Sequence, residues 1–257
     1  MTIVGDRLIE AGSVSEAWLN AITLLHGTKG RKAVHLVARI HDPTGEIPEI
    51  RAEADQLIEQ SNAKPAPWPI DTTRNTIFPA AWARRNPEPE DLAQYYRDRY
   101  SELRQVGDRR DNTRGTYFGR VVAYPRADNT FGDQLTDTVR KLRQELAGGT
   151  PKSSRYEINI YSEAKDTPAM SFPCLAHVSV HLHDKRLHMQ AVYRNEYLIA
   201  RAYGNFLGLG QLQAYLAVAA GLELGELLMT INHAELDGNS GPVEAAIDRL
   251  AKQGFTS

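Results

Sequence analysis

Cys174 is the only cysteine among the 257 residues, and Arg194 follows it by twenty positions. A thiolate can add to an electron-poor carbon and later leave, and a guanidinium matches the geometry of a phosphate group. Asn205 follows after a further eleven residues with an amide that both donates and accepts hydrogen bonds. His233 adds an imidazole. This order predicts a site that binds a phosphorylated ligand and attacks it covalently.

Each of these four residues also has a simpler alternative. A lone cysteine is more often a small hydrophobic core residue than a nucleophile. Arg194 would by itself be a surface or salt-bridge arginine, and Asn205, after Gly204, a loop asparagine in a left-handed turn. His233 could cap or pack against a neighbouring element. Whether each residue has a chemical role or a simple structural role depends on the helices and strands that position its side chain.

Hydrophobic periodicity predicts helices and strands in alternation, without an internal repeat. The clearest helix carries five apolar residues, from Phe131 to Leu146, on one face before a Gly-Gly stop signal. Other helices are predicted around residues 18–26, 49–60, 88–106 and 242–250, strands over residues 33–40, 156–161, 177–182 and 187–192, and a proline-rich loop over residues 62–69. We expect an α/β fold of the α+β type, a mixed sheet with helices in a single domain over residues 1–257.

Composition argues against several classes of partner. Thirty basic and thirty-two acidic residues give a net charge near −2, so no overall positive field favours nucleic acid or an anionic membrane. The longest apolar run, residues 206–229, is interrupted by polar side chains and predicts a buried helix rather than a membrane span. The N-terminus is too polar for a signal peptide, and a single cysteine suits a reducing compartment. We therefore expect a cytoplasmic protein.

Several histidines fall within the predicted strands of the second half. Strand alternation places His177, His181 and His183 on one face, where they could in principle bind a metal ion. The alternative is that they are surface or hydrogen-bonded strand histidines. We favour this alternative, because histidine patterns match metal motifs by chance, and we predict no metal site.

Further motifs surround the cysteine in a fixed order. Residues 117–120 read Tyr-Phe-Gly-Arg, residues 133–135 read Asp-Gln-Leu and residues 154–155 read Ser-Arg. With Cys174 and its spacings to the arginine and asparagine, this order resembles the thymidylate synthase family, including its nucleotide hydroxymethylases, over residues 113–236. The resemblance implies a strand at the Tyr-Phe-Gly-Arg motif and a helix start at Asp-Gln-Leu. The shortened form is similar to archaeal-type thymidylate synthases.

The resemblance implies transfer of a one-carbon unit, methyl or hydroxymethyl, to C5 of a pyrimidine nucleotide through an adduct between Cys174 and C6. Asn205 favours uracil, so a uridylate such as dUMP is the implied substrate, and 5,10-methylenetetrahydrofolate is the implied cofactor. A homodimer through the sheet, with composite active sites, is the implied assembly. The implied catalytic residues are Cys174, Tyr117, which would assist removal of the C5 proton, and His233; the implied substrate-binding residues are Arg194, Asn205, Asn195 and Arg155 of the partner subunit.

The chain also departs from the family pattern. Tyr197 stands where the family has the aspartate that contacts the folate pterin, and Ser154 stands where it has the first of two phosphate-binding arginines. Asn195 replaces a serine, and Glu235 replaces a tyrosine. These departures keep a second hypothesis open, in which the protein retains the fold and nucleotide binding but serves as a regulator or assembly subunit.

Overall fold

The computed structural model describes residues 7–61, 66–103, 115–149, 151–167 and 173–255. In chain order the strands and helices are β1 (Leu8–Ser13), α1 (Val14–His26), β2 (Lys32–Asp42), α2 (Pro48–Gln60), α3 (Ile70–Ile77), α4 (Ala80–Ala83), α5 (Pro89–Leu103), α6 (Tyr117–Val122), β3 (Tyr124–Pro125), β4 (Phe131–Gly132), α7 (Gln134–Ala147), β5 (Tyr156–Asn159), α8 (Glu163–Asp166), β6 (Leu175–His183), β7 (Arg186–Tyr193), β8 (Glu196–Tyr197), α9 (Tyr203–Ala220), β9 (Glu223–Glu235) and α10 (Ser240–Lys252). The fold is therefore mixed α/β, as predicted.

The strongest periodicities in the sequence are confirmed. In α7 the side chains of Leu135, Val139 and Leu142 are buried on one face. The Asp133 carboxylate caps this helix by accepting a hydrogen bond from the backbone N–H of Thr136 at 3.1 Å. A tight turn joins β6 to β7, where Asp184 and Lys185 both adopt positive φ, as a two-residue hairpin requires.

Two expectations at the edges of elements are wrong. Tyr117 and the three residues after it lie in α6 and not in a strand, because Thr116 accepts a hydrogen bond from the N–H of Gly119 and starts a helical turn. Phe131 lies in β4 and is exposed, so it is not part of the α7 face. The expected end of the helix over residues 88–106 lies outside the described residues beyond Leu103.

The described residues group into two compact units. The first unit comprises the described parts of Met1–Arg74, Val192–Gln211 and Glu226–Ser257. In it β1 runs parallel to β2, β2 antiparallel to β9, and β8 parallel to β9, so the sheet is mixed. Trp18 of α1 is buried and donates its indole N–H to the carbonyl of Leu198 at 2.8 Å. This bond ties α1 to the segment that leads into α9.

The second unit comprises the described parts of Asn75–Ala191 and Leu212–Gly225. Here β5 pairs antiparallel with β6, and β6 neighbours β7. Arg120 of α6 forms a buried ion pair with Asp166 at 2.8 and 2.9 Å, and the same carboxylate accepts the N–H of Ser162. Burial of both charges makes this pair costly to break, because either partner alone would be an uncompensated buried ion. It therefore fixes α6, which begins with Tyr117, against the segment after β5.

The outward face of the first unit's sheet carries an ion network. Arg39 donates two hydrogen bonds to Glu226, at 2.7 and 2.9 Å, and the His41 ring lies 2.8 Å from Glu226 and 3.1 Å from Glu10. A partner subunit on this face would thus meet polar groups rather than a wholly apolar surface. The homodimer stays a prediction.

Among the residues that the structure describes, no helix combines the length and the apolar character needed to cross a membrane.

Candidate active site

The first unit holds four of the seven predicted site residues. Arg194 and Asn195 form the short connection between β7 and β8, and both are half-buried. Asn205 lies in the first turn of α9, and His233 lies near the end of β9. Three elements of the same unit, β8, α9 and β9, therefore position these side chains.

Asn195 and His233 are in direct contact. The Oδ1 atom of Asn195 lies 2.7 Å from Nδ1 of His233. The register explains this contact, because β8 pairs parallel with β9 so that Glu196 lies beside Ala234, and the preceding residues are then neighbours as well. An amide oxygen only accepts hydrogen bonds, so the imidazole hydrogen is on Nδ1 and Nε2 of the neutral ring is an acceptor.

Asn205 is helical and buried, with only 3% of its surface exposed. It is therefore not the loop asparagine of the simpler alternative. The glycine before it serves packing, since a Cβ atom on Gly204 would lie 2.7 Å from Cβ of Thr73 and 2.8 Å from the carbonyl oxygen of Ile70. The close approach of α9 to α3 thus requires glycine at position 204 and places Asn205 in the unit's interior.

The partner of Asn205 is a carboxylate that the sequence did not single out. Its Nδ2 atom lies 2.9 and 3.1 Å from the two carboxylate oxygens of Glu196, which is 2% exposed. Burial raises the pKa of Glu196 to about 8, and the negative charge of Asp237 acts in the same direction. The hydrogen bond from Asn205 and the positive charge of Arg201 oppose the rise. Glu196 therefore titrates close to neutral pH.

Asp237 is a second buried carboxylate in this unit. Its oxygens accept the backbone N–H groups of Ile199 and Ala200 at 2.7 and 3.0 Å, in a π-helical segment that continues into α9. These N–H groups belong to the first turn, where the helix has no internal acceptors for them. Burial raises the pKa of Asp237 as well. We infer from these contacts that Asp237 has a structural role, because it fixes the start of the helix that carries Asn205.

Arg201 completes the charged surroundings of Glu196. It donates to the carbonyls of Ala200 and Ala66, and its guanidinium lies 4.4 Å from the centre of the Trp68 ring. Residues 66–69 are without helix or strand, in agreement with the proline-rich loop that the sequence predicts there; residues 62–65 lie outside the described part. The cation and the aromatic face attract each other, so this loop is held beside the start of α9.

The other three predicted residues belong to the second unit. Cys174 immediately precedes β6 and is half-buried, so it is not the core residue of the simpler alternative. Tyr117 begins α6 and is also half-buried. The Arg155 side chain is exposed and donates a hydrogen bond to Glu145 at 2.6 Å. This contact is typical of an ordinary surface arginine.

His177 forms ordinary hydrogen bonds on its strand. The Nε2 atom of His177 lies 2.6 Å from Glu157 and 3.0 Å from Ser179, and its Nδ1 atom lies 3.2 Å from Asn159. In the part of the chain that the structure describes, no group of three or more histidine, cysteine, aspartate or glutamate side chains could hold a metal ion.

Comparison with known proteins gives the family. The protein-family model described as "Thymidylate synthase" matches residues 72–253. This range is well over half of the chain and includes all seven predicted site residues. A protein of Methanothermobacter thermautotrophicus (strain Delta H), described as "Putative thymidylate synthase", is 28% identical over 131 residues. That alignment covers 51% of this chain and 54% of the relative, so the chain matches about half of the relative's length. The extent of the family match shows that the chain belongs to the thymidylate synthase family.

Proposed function

We propose that this protein transfers a one-carbon unit to C5 of a uridylate through a covalent adduct between Cys174 and C6 of the base. The observation that carries the proposal is the family match over residues 72–253, within which the cysteine, arginine and asparagine keep the spacings of the sequence motif. The half-buried position of Cys174 supports a nucleophilic role, because a thiol has to be reached by its substrate.

The chemistry follows from the poor nucleophilicity of C5 in an intact pyrimidine. When the Cys174 thiolate adds to C6, the C5–C6 double bond breaks and its electrons move toward O4, so C5 becomes enolate-like. C5 can then form a bond to the one-carbon unit. Tyr117 assists removal of the C5 proton, and the bond between the one-carbon unit and its donor breaks. Addition of a hydride, which a reduced folate would supply, would give a methyl group, and addition of water would give a hydroxymethyl group. In both cases the C5–C6 double bond re-forms and the thiolate leaves. The cysteine is regenerated at the end of the sequence.

The remaining predicted residues bind the nucleotide. Arg194 pairs with the phosphate, and Arg155 of the partner subunit adds a second cation in a composite site of a homodimer. Asn205 reads the base through its side-chain amide. His233, with Asn195 on its Nδ1 atom, offers Nε2 as an acceptor to a sugar hydroxyl or to a proton in transfer.

Family membership suggests 5,10-methylenetetrahydrofolate as the one-carbon donor. Position 197 does not fit this cofactor as the family binds it, because Tyr197 cannot supply a carboxylate to the pterin. The neighbouring carboxylate of Glu196 cannot substitute for it, since it is buried and bonded to Asn205. The donor and the choice between methyl and hydroxymethyl transfer therefore rest on family membership alone.

The test is release of tritium to water from dUMP labelled at C5. Reversible addition of Cys174 to C6 makes the C5 hydrogen exchangeable, so the wild-type protein should release label while Cys174→Ser and Cys174→Ala should not. CMP, UMP and dCMP labelled at the same carbon, each with and without folate, extend the test to other bases and sugars. Absence of exchange with every nucleotide would refute the enzymatic proposal.

A regulator or assembly subunit is the second candidate, and two observations favour it. Tyr197 lacks the carboxylate that the pterin contact needs, and Arg155 is paired with Glu145. Tight binding of dUMP without tritium release, equal in wild-type protein and Cys174→Ala, would support this candidate over the enzyme.

A further inference from the structure

Glu196 and Asn205 form a buried pair in the first unit, with one polar atom left over. The Asn205 amide nitrogen contacts both carboxylate oxygens of Glu196, and both residues are at least 97% buried. No described residue donates a hydrogen bond to Oδ1 of Asn205, although this atom is buried too. A buried amide oxygen without a donor is costly, so a ligand with an N–H group is its natural partner.

The orientation of this amide decides which base it can read. Uracil has a donor at N3 and an acceptor at O4, whereas cytosine has an acceptor at N3 and a donor at N4. An asparagine that faces the N3 and C4 side of the ring must therefore turn its amide by about 180° to serve the other base. A site whose amide is free to turn discriminates poorly between the two.

A carboxylate beside the amide removes this freedom. Ionised glutamate only accepts hydrogen bonds, so it attracts the Nδ2 end of Asn205 and repels the Oδ1 end. A turned amide would place Oδ1 against the negative charge and would also lose a charge-assisted hydrogen bond. One hydrogen of Nδ2 can still point away from Glu196, because an amide nitrogen carries two.

We propose that Glu196 is a positioning residue that locks the side-chain amide of Asn205 in one orientation and thereby sets the selection of uracil over cytosine. This inference rests on the proposed binding of a pyrimidine nucleotide. Glu196 need not touch the substrate, since it acts through Asn205.

The charges around Glu196 give the lock a pH dependence. The charges of Arg201 and Asp237 act on the Glu196 carboxylate, and the backbone N–H of Tyr197 donates a hydrogen bond to it. The charge of Glu235 acts in turn on Asp237. Burial raises the pKa of the Glu196 carboxyl to about 8. A protonated carboxyl can donate as well as accept, so it can hold either end of the amide. The lock is therefore strong above this pKa and weak below it.

The experiment measures the affinities of dUMP and dCMP by calorimetry, at about pH 6 and about pH 9, on either side of the Glu196 pKa. In the wild-type protein the ratio of the two affinities should be about tenfold larger at the higher pH, which corresponds to one hydrogen bond to a charged group. Glu196→Gln should give a small ratio at both pH values, because a neutral amide can also hold either end of Asn205. Glu53→Gln is the matched control, since Glu53 is another buried carboxylate of the first unit, pairs with Arg249 and has no contact with Asn205, and its ratio should equal that of the wild type at both pH values.

The outcomes separate this inference from the proposed function. If neither nucleotide binds, the proposed function fails, and the lock fails with it. If nucleotides bind and the wild-type ratio is the same at both pH values, the lock alone is overturned. This wild-type measurement needs no variant, so it decides the matter even if Glu196→Gln does not fold. A ratio that changes with pH but favours dCMP would retain the lock and overturn the choice of uracil.

Discussion

The Nδ1 atom of His233 and the Oδ1 atom of Asn195 are 2.7 Å apart, and the parallel pairing of β8 with β9 fixes this contact. Asn195 stands where the resemblance implies a serine. A serine hydroxyl can donate or accept, whereas an amide oxygen accepts only. The asparagine therefore selects one tautomer of His233 and presents Nε2 as an acceptor.

We predict that Asn195→Leu shifts the neutral His233 ring toward the tautomer with hydrogen on Nε2. Loss of the acceptor removes the reason for hydrogen to be on Nδ1. The ¹⁵N chemical shifts of the two ring nitrogens report the tautomer directly, and tritium release should fall by about tenfold, as for one lost hydrogen bond. Asn232→Leu, at an exposed neighbouring position of β9, is the control. An unchanged tautomer in Asn195→Leu would contradict this role.

If Arg194 binds the phosphate, its removal should lower the affinity for a nucleotide but not for a nucleoside. Arg194→Ala should weaken dUMP binding by about 1.5–3 kcal/mol, the range for a hydrogen bond to a charged group. Deoxyuridine, which has no phosphate, should bind the variant and the wild-type protein equally. Arg186→Ala removes an exposed arginine at the start of β7 and should leave both affinities unchanged. Calorimetric titration measures all six affinities, and an equal loss for nucleoside and nucleotide would contradict the phosphate contact.

Most helices and strands could be predicted from local sequence patterns, whereas the remaining features depend on tertiary contacts. The α7 face and its Asp133 cap could be predicted, because helix periodicity and capping lie within a few residues of sequence. The helix at Tyr117 was missed because it has only six residues and no full apolar repeat. The sequence at Gly204 indicates a turn, whereas in the structure glycine is required there because a Cβ atom would be too close to Thr73. That requirement comes from residues more than a hundred positions away.

The candidate site was predictable by residue type and not by environment. Cys174, Arg194 and Asn205 stand out by spacing, whereas Glu196 is one acid among thirty-two acidic residues. Its importance comes from burial beside Asn205, which no local pattern encodes. The available signal was a single acidic residue two positions before the apolar stretch that begins at Leu198.

Burial of Glu196 predicts that stability falls as pH rises. The pKa of its carboxyl is about 8 in the folded chain, against an ordinary value of 4.5, so the folded state binds more protons between these values. The free energy of unfolding should therefore decline from about pH 5 to about pH 8, by a few kcal/mol, and then level off. Urea unfolding at several pH values measures the slope. Glu196→Gln should flatten this part of the curve, and a wild-type curve that rises across the same window would contradict the assignment.

Arg155 provides the sharpest test of the composite site. Its guanidinium is bound to Glu145, which also accepts hydrogen bonds from the Tyr156 hydroxyl and the Lys152 N–H. To reach a phosphate on the partner subunit, Arg155 must leave this carboxylate. Glu145→Gln should therefore strengthen dUMP binding if Arg155 acts on the nucleotide, and Arg155→Ala should weaken it. Arg155 is exposed, and an ion pair made by an exposed side chain contributes little to stability, so Arg155→Ala should not change the free energy of unfolding by more than about 1 kcal/mol.

Mixing of two inactive variants tests whether Arg155 acts across the homodimer. In a hybrid of Cys174→Ala and Arg155→Ala subunits, one site inherits both defects and the other inherits neither, because a two-fold interface is reciprocal. Random exchange of subunits should restore about a quarter of wild-type tritium release if the sites are independent. Subunits with different affinity tags show whether exchange has occurred. If exchange is complete and the mixture stays inactive, Arg155 does not complete the partner's site, and its pair with Glu145 is then only a surface contact.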